Sequence, residues 1–391
     1  MSKIKILFFS GNRAEFSFIH NAIISLQKEK IFDLEILISG SHLENKFGET
    51  FQYVKKKLQI KFNKIKINSS TKNISKTADY YSELTTKFNL FLKKKNFDYI
   101  FISSDRFESF AVANVAFMNN LQIIHYEGGD ITEGGSYDDY IRHSISRLAS
   151  LHFVTNKYSK KRLIKFGEES KRIENVGLLS LENKKYNLNK IIKKFSINEN
   201  KQLLLFTYHP VVKRKNKNRD DIKLILNILE KFILKNKIQL IITYPNFDPY
   251  CDLILSELKK IEKKKLKDVQ FHKSLGTENY HELLYYCGKT GKGMCVGNSS
   301  SGIKDAEFFN CNTLNIGPRQ NLRTKGKNVC DVILDPKKIH NKIQNMFLDK
   351  NNKKLNDNEK IYYKKNFSKL MANKIIKHYK NNFLKIKKCT Y

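Results

Sequence analysis

The chain repeats one pattern along most of its length: a short, almost wholly apolar segment, a polar turn and an amphipathic helix. KIKILFF at residues 3–9 is the first such segment, and helical spacing follows from about 14 to 30. LEILIS, FDYIFIS, LQIIHY and LHFVTN come next in the same setting. Segments that are apolar on both faces and alternate with helices are typical of a parallel sheet covered on both sides. The sequence therefore predicts an α/β fold.

This pattern is interrupted once, between about 179 and 201, where the chain is rich in Lys and Asn. It restarts with LLLFTYHP at 203–210 and continues through IQLIITYP, VQFHKS, MCVGN and TLNIG. We therefore predict two Rossmann-like, doubly wound domains, residues 1–180 and 181–357. Residues 358–391 are predicted to be helical and could cross back onto the first domain. Ligands of such sheets bind beyond the carboxyl ends of the strands, so two facing halves would form a cleft.

The charge of the chain is strongly positive. It contains 73 Lys and Arg against 38 Asp and Glu, a formal net charge of +35. The Lys residues are spread along the whole chain together with Asn and Ile, and no basic stripe is interleaved with aromatic residues. This distribution argues against nucleic-acid binding. An anionic substrate is a better explanation of the positive charge.

Several other classes of protein are disfavoured by the sequence. No apolar run approaches the ~20 residues needed to span a bilayer, and the first apolar stretch is too short for a secretory signal, so we expect a cytoplasmic protein without a membrane partner. The six Cys residues lie in the second half without a CxxC pair, which favours reduced thiols over a disulfide or a zinc site. GKTGKG at 288–293 resembles a phosphate loop, but position 283 is Leu where that motif requires Gly, so no ATP site is predicted.

The turn after the first apolar segment reads Ser10-Gly11-Asn12-Arg13 and opens the first helix. A Gly in such a turn lets backbone amides approach an anion, and Arg13 would add a delocalised cation at the helix start. Taken alone, an Arg at a helix start is more often simply solvated.

Three carboxylates stand at strand ends or helix starts in the first domain. Asp105 follows FDYIFIS, Glu127 precedes the pair Gly128-Gly129, and Asp138 begins a helix. Singly, Asp105 could be a helix N-cap, and Asp138 could form an ordinary ion pair with Arg142 four residues later. The two glycines predict a backbone that packs close to a ligand. Together, the three carboxylates favour a site where different environments divide acid and base roles.

The second domain contains the most specific stretch, GNSSSGIKD at 297–305. A strand running into Gly, three hydroxyls and Gly before a helix is suited to donating hydrogen bonds to phosphate. Asp305 could accept both hydroxyls of a ribose, although a carboxylate in the first helical turn also complements the helix dipole. His209 stands at a strand end, and Arg319 and Arg323 offer two guanidinium groups for a diphosphate.

These motifs stand in the order seen in the hydrolysing UDP-N-acetylglucosamine 2-epimerases, a family that the chain resembles over roughly residues 3–345. The matching runs are GNRAE, DRFE, HYEGGDITEGG, DDYIRHSISRLASLHF, YHPV, YPNFD, GNSSSGIKDAE and IGPRQNLR. HYEGGD with IRH, and GNSSSG with RQxxR, are specific in combination and only moderately so singly. The family includes relatives that act on diacetylbacillosamine nucleotides.

The resemblance implies a GT-B architecture, two Rossmann-like domains with the active site in the cleft between them. It also implies elimination of UDP to a 2-acetamido-glycal and addition of water with inverted configuration at C2. The products would be a free N-acetylmannosamine-type sugar, for sialic-acid-like sugar synthesis, and UDP. Because the C2 proton is not acidic, departure of UDP must lead. Carboxylates then stabilise the positive charge at C1, and basic groups stabilise the leaving phosphate.

The resemblance also implies roles for individual residues. The carboxylates of elimination and hydration would be Asp105, Glu127 and Asp138. The contacts to the diphosphate would be Arg13, His209, Ser300, Ser301 and Arg323, with Asp305 on the ribose. The further substrate-binding positions are Arg142, His143, Asn298, Ser299, Gly302 and Arg319. No cofactor and no metal is implied, since basic side chains supply the charge that a metal would otherwise provide.

Other functions remain open at this point. The first is a non-hydrolysing 2-epimerase or another GT-B nucleotide-sugar enzyme, such as a glycosyltransferase. The second is a nucleotide-sugar-binding protein without catalysis, against which the three carboxylates argue. The sequence does not distinguish N-acetylglucosamine from diacetylbacillosamine, or UDP from GDP. A homodimer is common for this scaffold, and the sequence shows no interface.

Overall fold

The structure is a computed structural model that describes residues 3–43, 51–69, 74–103, 105–132, 138–181, 185–235, 238–245, 250–348, 355–381 and 387–388. These residues divide into two compact domains. The first takes the described residues within Met1–Asp130, Tyr137–Ser180 and Lys364–Tyr391. The second takes those within Ile131–Ser136 and Leu181–Tyr363.

The first domain is built on a seven-stranded parallel sheet in the order β3-β2-β1-β4-β5-β6-β7. Its strands are β1 Ile4–Ser10, β2 Phe32–Ile38, β3 Lys61–Lys64, β4 Tyr99–Ser103, β5 Gln122–Tyr126, β6 Leu151–Val154 and β7 Ile173–Asn175. The helices between them are α1 Arg13–Gln27, α2 Phe51–Lys57, α3 Ile74–Leu92, α4 Phe107–Met118, α5 Asp138–Leu148 and α6 Lys157–Lys165.

Both faces of this sheet are buried, as β1 demonstrates. Ile6 and Phe8 belong to one apolar core, which α1 covers, whereas Leu7 and Phe9 belong to the core on the opposite face, which α3 and α4 cover. Neighbouring residues of a strand point to opposite faces, so a strand between two cores must be apolar throughout. The sequence prediction of a parallel sheet covered on both sides is confirmed.

The second domain repeats this plan with a six-stranded parallel sheet in the order β10-β9-β8-β11-β12-β13. Its strands are β8 Gln202–Thr207, β9 Ile238–Thr243, β10 Val269–His272, β11 Gly293–Gly297, β12 Asn312–Ile316 and β13 Val329–Val332. Its helices are α7 Leu188–Lys194, α8 Asn218–Leu234, α9 Cys251–Lys263, α10 Gly276–Thr290, α11 Ser300–Lys304 and α12 Pro336–Leu348. The prediction of two Rossmann-like domains is therefore confirmed.

The last helix, α13 Phe367–Lys380, packs on the first domain. Phe367, Met371 and Ile375 are buried in the core that α1 covers, and Nδ1 of His378 and the Tyr99 hydroxyl form a hydrogen bond of 2.8 Å. We predicted a helix over about 358–391, and the structure begins it later, at Phe367. The preceding stretch is irregular because its backbone N–H groups at 361 and 362 bind a side chain of the second domain instead of a helical carbonyl.

The sequence pattern missed β3 and β13, one edge strand of each sheet. Both are only partly buried, and β3 reads KFNK, which lacks the apolar run that marks an interior strand. The stretch 179–201, expected as a polar connector, contains the short helix α7. Across the described ranges no helix combines the length and the apolar character that a membrane crossing requires.

Candidate functional site

The candidate residues gather where the strand order of each sheet reverses. In the first sheet this happens between β1 and β4, and in the second between β8 and β11. Segments that follow such a pair diverge to opposite faces of the sheet and leave a crevice at its carboxyl edge, where ligands of doubly wound sheets bind. Asp105 follows β4, His209 follows β8, and Asn298 follows β11. The predicted residues therefore stand at the expected edge of each domain.

The turn after β1 is organised by its own side chains. Asn12 accepts a hydrogen bond from the Glu15 N–H over 3.0 Å and so caps α1, and the Glu15 carboxylate accepts the Gly11 N–H over 2.6 Å. The Ser109 hydroxyl also donates to Glu15 over 3.3 Å. We expected a Gly in this turn to let backbone amides approach an anion, and the structure shows that a carboxylate already occupies the amide of Gly11 itself. The Arg13 side chain lies outside the described part of the structure, and its diphosphate contact stays a prediction.

Arg142, on α5, is the centre of the polar cluster in the first domain. Only 3% of its side chain is exposed, and it donates to the carboxylates of Asp105 and Asp139 and, over 2.8 Å, to the Asp130 carbonyl oxygen. Burial alone would lower the pKa of the guanidinium, but the attraction of Asp105, Asp130 and Asp139 outweighs it and raises that pKa. One buried cation thus organises several acidic side chains.

The structure overturns one simpler explanation of the sequence, the role of Asp105 as a helix cap. The N-cap position of α4 is Arg106, which makes no side-chain capping bond, so Asp105 is not the cap. Within its own helix Arg142 pairs with Asp139, three residues earlier, and an ion pair between Arg142 and Asp138 stays a prediction. Asp138 is the first residue of α5 and directly precedes Asp139 in the sequence. Its side chain is half-buried.

Glu127 follows β5 in an unusual backbone conformation. Its φ is 68°, in the left-handed region that costs a residue with a side chain about 1–2 kcal/mol. Its N–H donates to the Phe153 carbonyl oxygen over 3.0 Å, and the residue is buried. Such strain persists where the surrounding structure imposes it, and it is frequent at functional sites. The structure therefore holds Glu127 in one defined position.

The glycines after Glu127 pack against protein. A Cβ on Gly128 would lie 2.9 Å from the Ser146 hydroxyl of α5, and one on Gly129 would lie 2.4 Å from the Ser159 carbonyl oxygen of α6. We expected these glycines to allow a close approach to a ligand, and the close approach in the structure is to two helices of the same domain.

Sequence reasoning assigned no role to Asp130, which the structure places in this cluster. Its carboxylate accepts hydrogen bonds from the hydroxyls of Thr155 over 3.0 Å and Ser159 over 2.5 Å, while its carbonyl binds Arg142. Asp130 therefore connects the segment after β5 with the start of α6. Asp139 was missed in the same way, although its spacing of three residues from Arg142 was visible in the sequence.

His143 lies on a different side of α5 from Arg142. Its ring packs edge-on against Phe166, with the ring centroids 4.9 Å apart, and it lines a cavity of about 260 Å³ together with Ser146 and Leu163. Burial and the neighbouring Arg142 lower the pKa of His143. The structure does not bring its ring into the hydrogen bonds around Arg142, so its contact with substrate stays a prediction.

In the second domain, Asn298 joins the segments after β8 and β11. Its side-chain oxygen accepts the His209 N–H over 2.7 Å, and its side-chain N–H₂ donates to the His209 carbonyl oxygen over 2.8 Å. Its own carbonyl oxygen accepts hydrogen bonds from Arg319 over 3.1 Å and Gln320 over 3.0 Å. Burial, and then the charge of Arg319, lower the pKa of His209 well below its ordinary value. This environment therefore favours the neutral imidazole of His209 over the charged form.

The hydroxyl-rich segment after Asn298 begins the short helix α11. Ser299 caps it by accepting the Ser301 N–H over 3.4 Å, and Ser299, Ser300 and Ser301 are all half-buried. A Cβ on Gly302 would lie 2.9 Å from the Thr313 side chain, so this glycine lets α11 pack on β12. The hydroxyls of Ser300 and Ser301 remain the candidate phosphate donors, whereas Gly302 has a packing role.

Asp305 directly follows the last residue of α11. The suggestion that it complements the positive end of the helix dipole is therefore wrong, because it stands at the opposite end of that helix. Its carboxylate is half-buried and lies 3.9 Å from Nε2 of His281. Arg323 follows the turn Pro318–Gln320, and its N–H donates to the Gln320 carbonyl oxygen over 3.2 Å.

The close packing at the end of β11 leads to a stability prediction. A Cβ on Gly297, whose φ is 130°, would lie 2.0 Å from the Thr207 carbonyl oxygen, and neither backbone can retreat without breaking the sheet. We expect Gly297→Ala to lower the free energy of unfolding by about 3 kcal/mol or more. Gly276→Ala is the matched control, since Gly276 also has a positive φ of 69° but no atom within 4 Å of the added Cβ. It should lose only about 1–2 kcal/mol in urea denaturation. Equal losses in the two variants would contradict the predicted clash.

Comparison with known proteins agrees with this geometry. The sequence profile of the UDP-N-acetylglucosamine 2-epimerase family matches residues 24–376. The chain is also 34% identical over 336 residues, 85% of either chain, to the GDP/UDP-N,N'-diacetylbacillosamine 2-epimerase (hydrolyzing) of Campylobacter jejuni. The chain belongs to the UDP-N-acetylglucosamine 2-epimerase family. The family resemblance predicted from the motifs is confirmed.

Two further relatives extend the comparison. The UDP-N,N'-diacetylbacillosamine 2-epimerase (hydrolyzing) of Legionella pneumophila is 30% identical over 332 residues, which cover 84% of this chain and 85% of that one. The solved structure of the UDP-GlcNAc 2-epimerase of Neisseria meningitidis, bound to UDP-GlcNAc, matches with a TM-score of 0.75 at 18% identity. That match covers 96% of this chain and 100% of the other and supports the predicted GT-B fold class.

Proposed function

We propose that this member of the family is a hydrolysing 2-epimerase of a UDP-linked 2-acetamido sugar. It would release UDP and a free sugar of the N-acetylmannosamine type. The observation that carries the proposal is the buried Arg142, which pairs with Asp105 and Asp139 beside the segments that carry Glu127 and Asp138. Acid–base chemistry on a sugar requires carboxylates in different environments, and this cluster supplies them.

The first step is loss of UDP from C1 and of the proton from C2. The guanidinium of Arg142 stabilises the ionised form of Asp105. An ionised carboxylate can stabilise the positive charge that develops at C1 and can accept the C2 proton, which leaves the 2-acetamido-glycal. We assign this step to Asp105, with Arg142 holding its carboxylate in place.

The second step is addition of water to the glycal. The oxygen of water bonds to C1, and C2 receives a proton on the face opposite to the one that lost it. This step needs a base for the water and a proton donor for C2. We assign these two roles jointly to Glu127, which the left-handed backbone holds in position, and Asp138, at the start of α5.

The second domain would bind the leaving UDP. His209, in its neutral form, would donate a hydrogen bond to the diphosphate, and the positive charge would come from Arg319 and Arg323. The hydroxyls of Ser300 and Ser301 would donate further hydrogen bonds, and Asp305 would accept those of the ribose. This assignment places the charge that stabilises the leaving phosphate on arginine side chains and requires no cofactor.

The relatives support a choice of sugar. The names of the Campylobacter and Legionella proteins specify N,N'-diacetylbacillosamine and the hydrolysing reaction. We therefore propose that the substrate is UDP-N-acetylglucosamine or its diacetamido analogue, with the diacetamido sugar favoured by these relatives. The free product suits the synthesis of sialic-acid-like sugars that the sequence resemblance implies.

The test is a nuclear magnetic resonance assay in deuterated water. UDP-N-acetylglucosamine, UDP-diacetylbacillosamine and GDP-diacetylbacillosamine are supplied separately, and the C1 and C2 signals of the sugar are followed. We expect one of the UDP sugars to yield free UDP and a free sugar with inverted configuration and deuterium at C2. Deuterium at C2 reports removal and return of the proton, which simple hydrolysis of the phosphate bond would not produce.

Other outcomes would contradict the proposal. A C2-inverted sugar that still carries UDP would identify a reversible, non-hydrolysing epimerase. Turnover that requires an added sugar acceptor would identify a transferase. A rise in melting temperature with UDP, together with no turnover of any of the three substrates, would identify a binding protein.

A further inference from the structure

Both polar atoms of the Asn298 side chain bind protein in the described structure. Its amide oxygen and amide nitrogen both bind the backbone of one residue, His209, over 2.7 and 2.8 Å. The residue is 1% exposed. These two side-chain hydrogen bonds have the same donor and acceptor pattern as the backbone bonds between paired strands. They continue the pairing of β8 with β11 past the ends of both strands. The family resemblance implied that Asn298 binds substrate. In the structure its side-chain amide instead binds the backbone of His209.

The backbone of Asn298 makes a second set of contacts. Its N–H donates to the Thr207 carbonyl oxygen over 3.1 Å, and its carbonyl oxygen accepts from Arg319 and Gln320. Gly297, immediately before it, packs against the same Thr207 carbonyl group. One buried residue therefore connects the segments that follow β8, β11 and β12.

We propose that Asn298 is a positioning residue that fixes His209 and Arg319 relative to each other without touching the substrate. The proposal rests on the function proposed above, in which these two side chains bind the leaving diphosphate. A neutral imidazole contributes a directed hydrogen bond rather than a charge. The orientation of the ring therefore determines how strongly it binds the diphosphate. A displacement of about 1 Å at such a position can cost roughly 100-fold in rate.

The alternative is that Asn298 contacts the diphosphate itself, and the two roles differ in how mutations combine. A residue that acts through His209 loses its effect once the His209 side chain is gone. A residue with its own contact to UDP keeps its effect. The Arg319 contact is made by the Asn298 backbone, so replacement of the side chain leaves that bond in place.

The experiment is a double-mutant cycle of Asn298→Ala and His209→Ala in the full chain. UDP affinity is measured by calorimetry at a temperature where every variant is folded, and turnover is measured on the substrate identified above. We expect each single change to weaken UDP binding about 10-fold or more, and the double variant to remain within about threefold of the weaker single variant. If the two losses multiply in the double variant, Asn298 acts independently of His209 and the proposal is wrong.

Asn328→Ala is the matched control. Asn328 is also a buried asparagine of the second domain, and its amide donates to the Cys311 carbonyl oxygen over 2.9 Å. This variant should lower the melting temperature but leave UDP affinity and turnover unchanged at the chosen temperature. An equal loss of UDP affinity in Asn328→Ala would show that the Asn298 effect is general destabilisation.

A replacement variant and a second measurement cover the remaining outcomes. If Asn298→Ala does not fold, Asn298→Asp takes its place in the cycle, because it keeps the acceptor for the His209 N–H. Hydrogen exchange of the His209 amide, measured without ligand, should be faster in Asn298→Ala, which removes the acceptor of that N–H, and an unchanged rate in this variant would overturn the positioning role. A wild-type protein that binds no UDP would overturn the proposed function and this role with it, whereas UDP binding with multiplying losses overturns the positioning role alone.

Discussion

Asp105→Asn is expected to lower kcat about 10³-fold while the protein stays folded. Asn is nearly isosteric with Asp, but it cannot accept the C2 proton or stabilise positive charge at C1, and a positioned acid or base contributes roughly 10²–10⁴-fold. The fold should survive because Arg142 keeps its contacts with Asp139 and the Asp130 carbonyl oxygen. The measurement is turnover of the nucleotide sugar at saturation, together with the melting temperature.

Asp98→Asn is the control for this variant, because Asp98 and Asp105 flank the same strand, β4. Asp98 precedes the strand, and its carboxylate accepts the Lys5 N–H over 2.8 Å at the opposite edge of the sheet. This change should leave kcat within about twofold, since a surface substitution there touches no proposed catalytic group. If Asp105→Asn keeps kcat within about tenfold of the wild type, the assignment of Asp105 to the elimination step is wrong.

Arg142→Met is expected to lower the free energy of unfolding by about 3–5 kcal/mol. The change removes the guanidinium that pairs with both Asp105 and Asp139, and it takes away the donor that binds the Asp130 carbonyl oxygen. The two half-buried carboxylates then lose the positive charge that this side chain supplies. Urea denaturation in the absence of nucleotide measures the loss.

Arg219→Met is the control, since Arg219 pairs with Glu257 at 3.6 Å through a side chain that is 51% exposed, and Glu257 keeps Lys260 as a second partner. Such pairs contribute about 0–1 kcal/mol. Arg142→Lys should fall between the two, because one ammonium keeps the charge but cannot reach all of the acceptors that a guanidinium spans. If Arg142→Met loses no more than Arg219→Met, the buried cluster does not stabilise the domain.

The interior strands were predictable because burial on both faces requires a run of apolar residues, and KIKILFF at β1 is such a run. Edge strands carry no such requirement. β3 pairs through its backbone on one side only and reads KFNK, so its existence depends on the neighbouring β2 rather than on its own side chains. The residues of β3 alone therefore do not predict its pairing with β2.

Within the site, the positions of the residues were predictable but their partners were not. Asp105 was found because it follows a strand, yet its partner Arg142 lies 37 residues away, and the packing of α5 against α4 and β5 brings them together. The capping of α1 by Asn12, in contrast, was visible locally. Asn12 followed by Glu15 three residues later is the pattern of a side-chain cap at a helix start.

The position of α13 affects how the protein can be made. The sheet of the first domain is complete at β7, but one of its cores is finished only when Phe367, Met371 and Ile375 are added from the other end of the chain. On the ribosome, the whole second domain emerges in between. The half-built first domain therefore exposes an apolar face to chaperones and to other nascent chains for that interval. A fragment that ends near Ser180 would keep this face exposed permanently, so the first domain is better isolated by fusing α13 to it than by truncation.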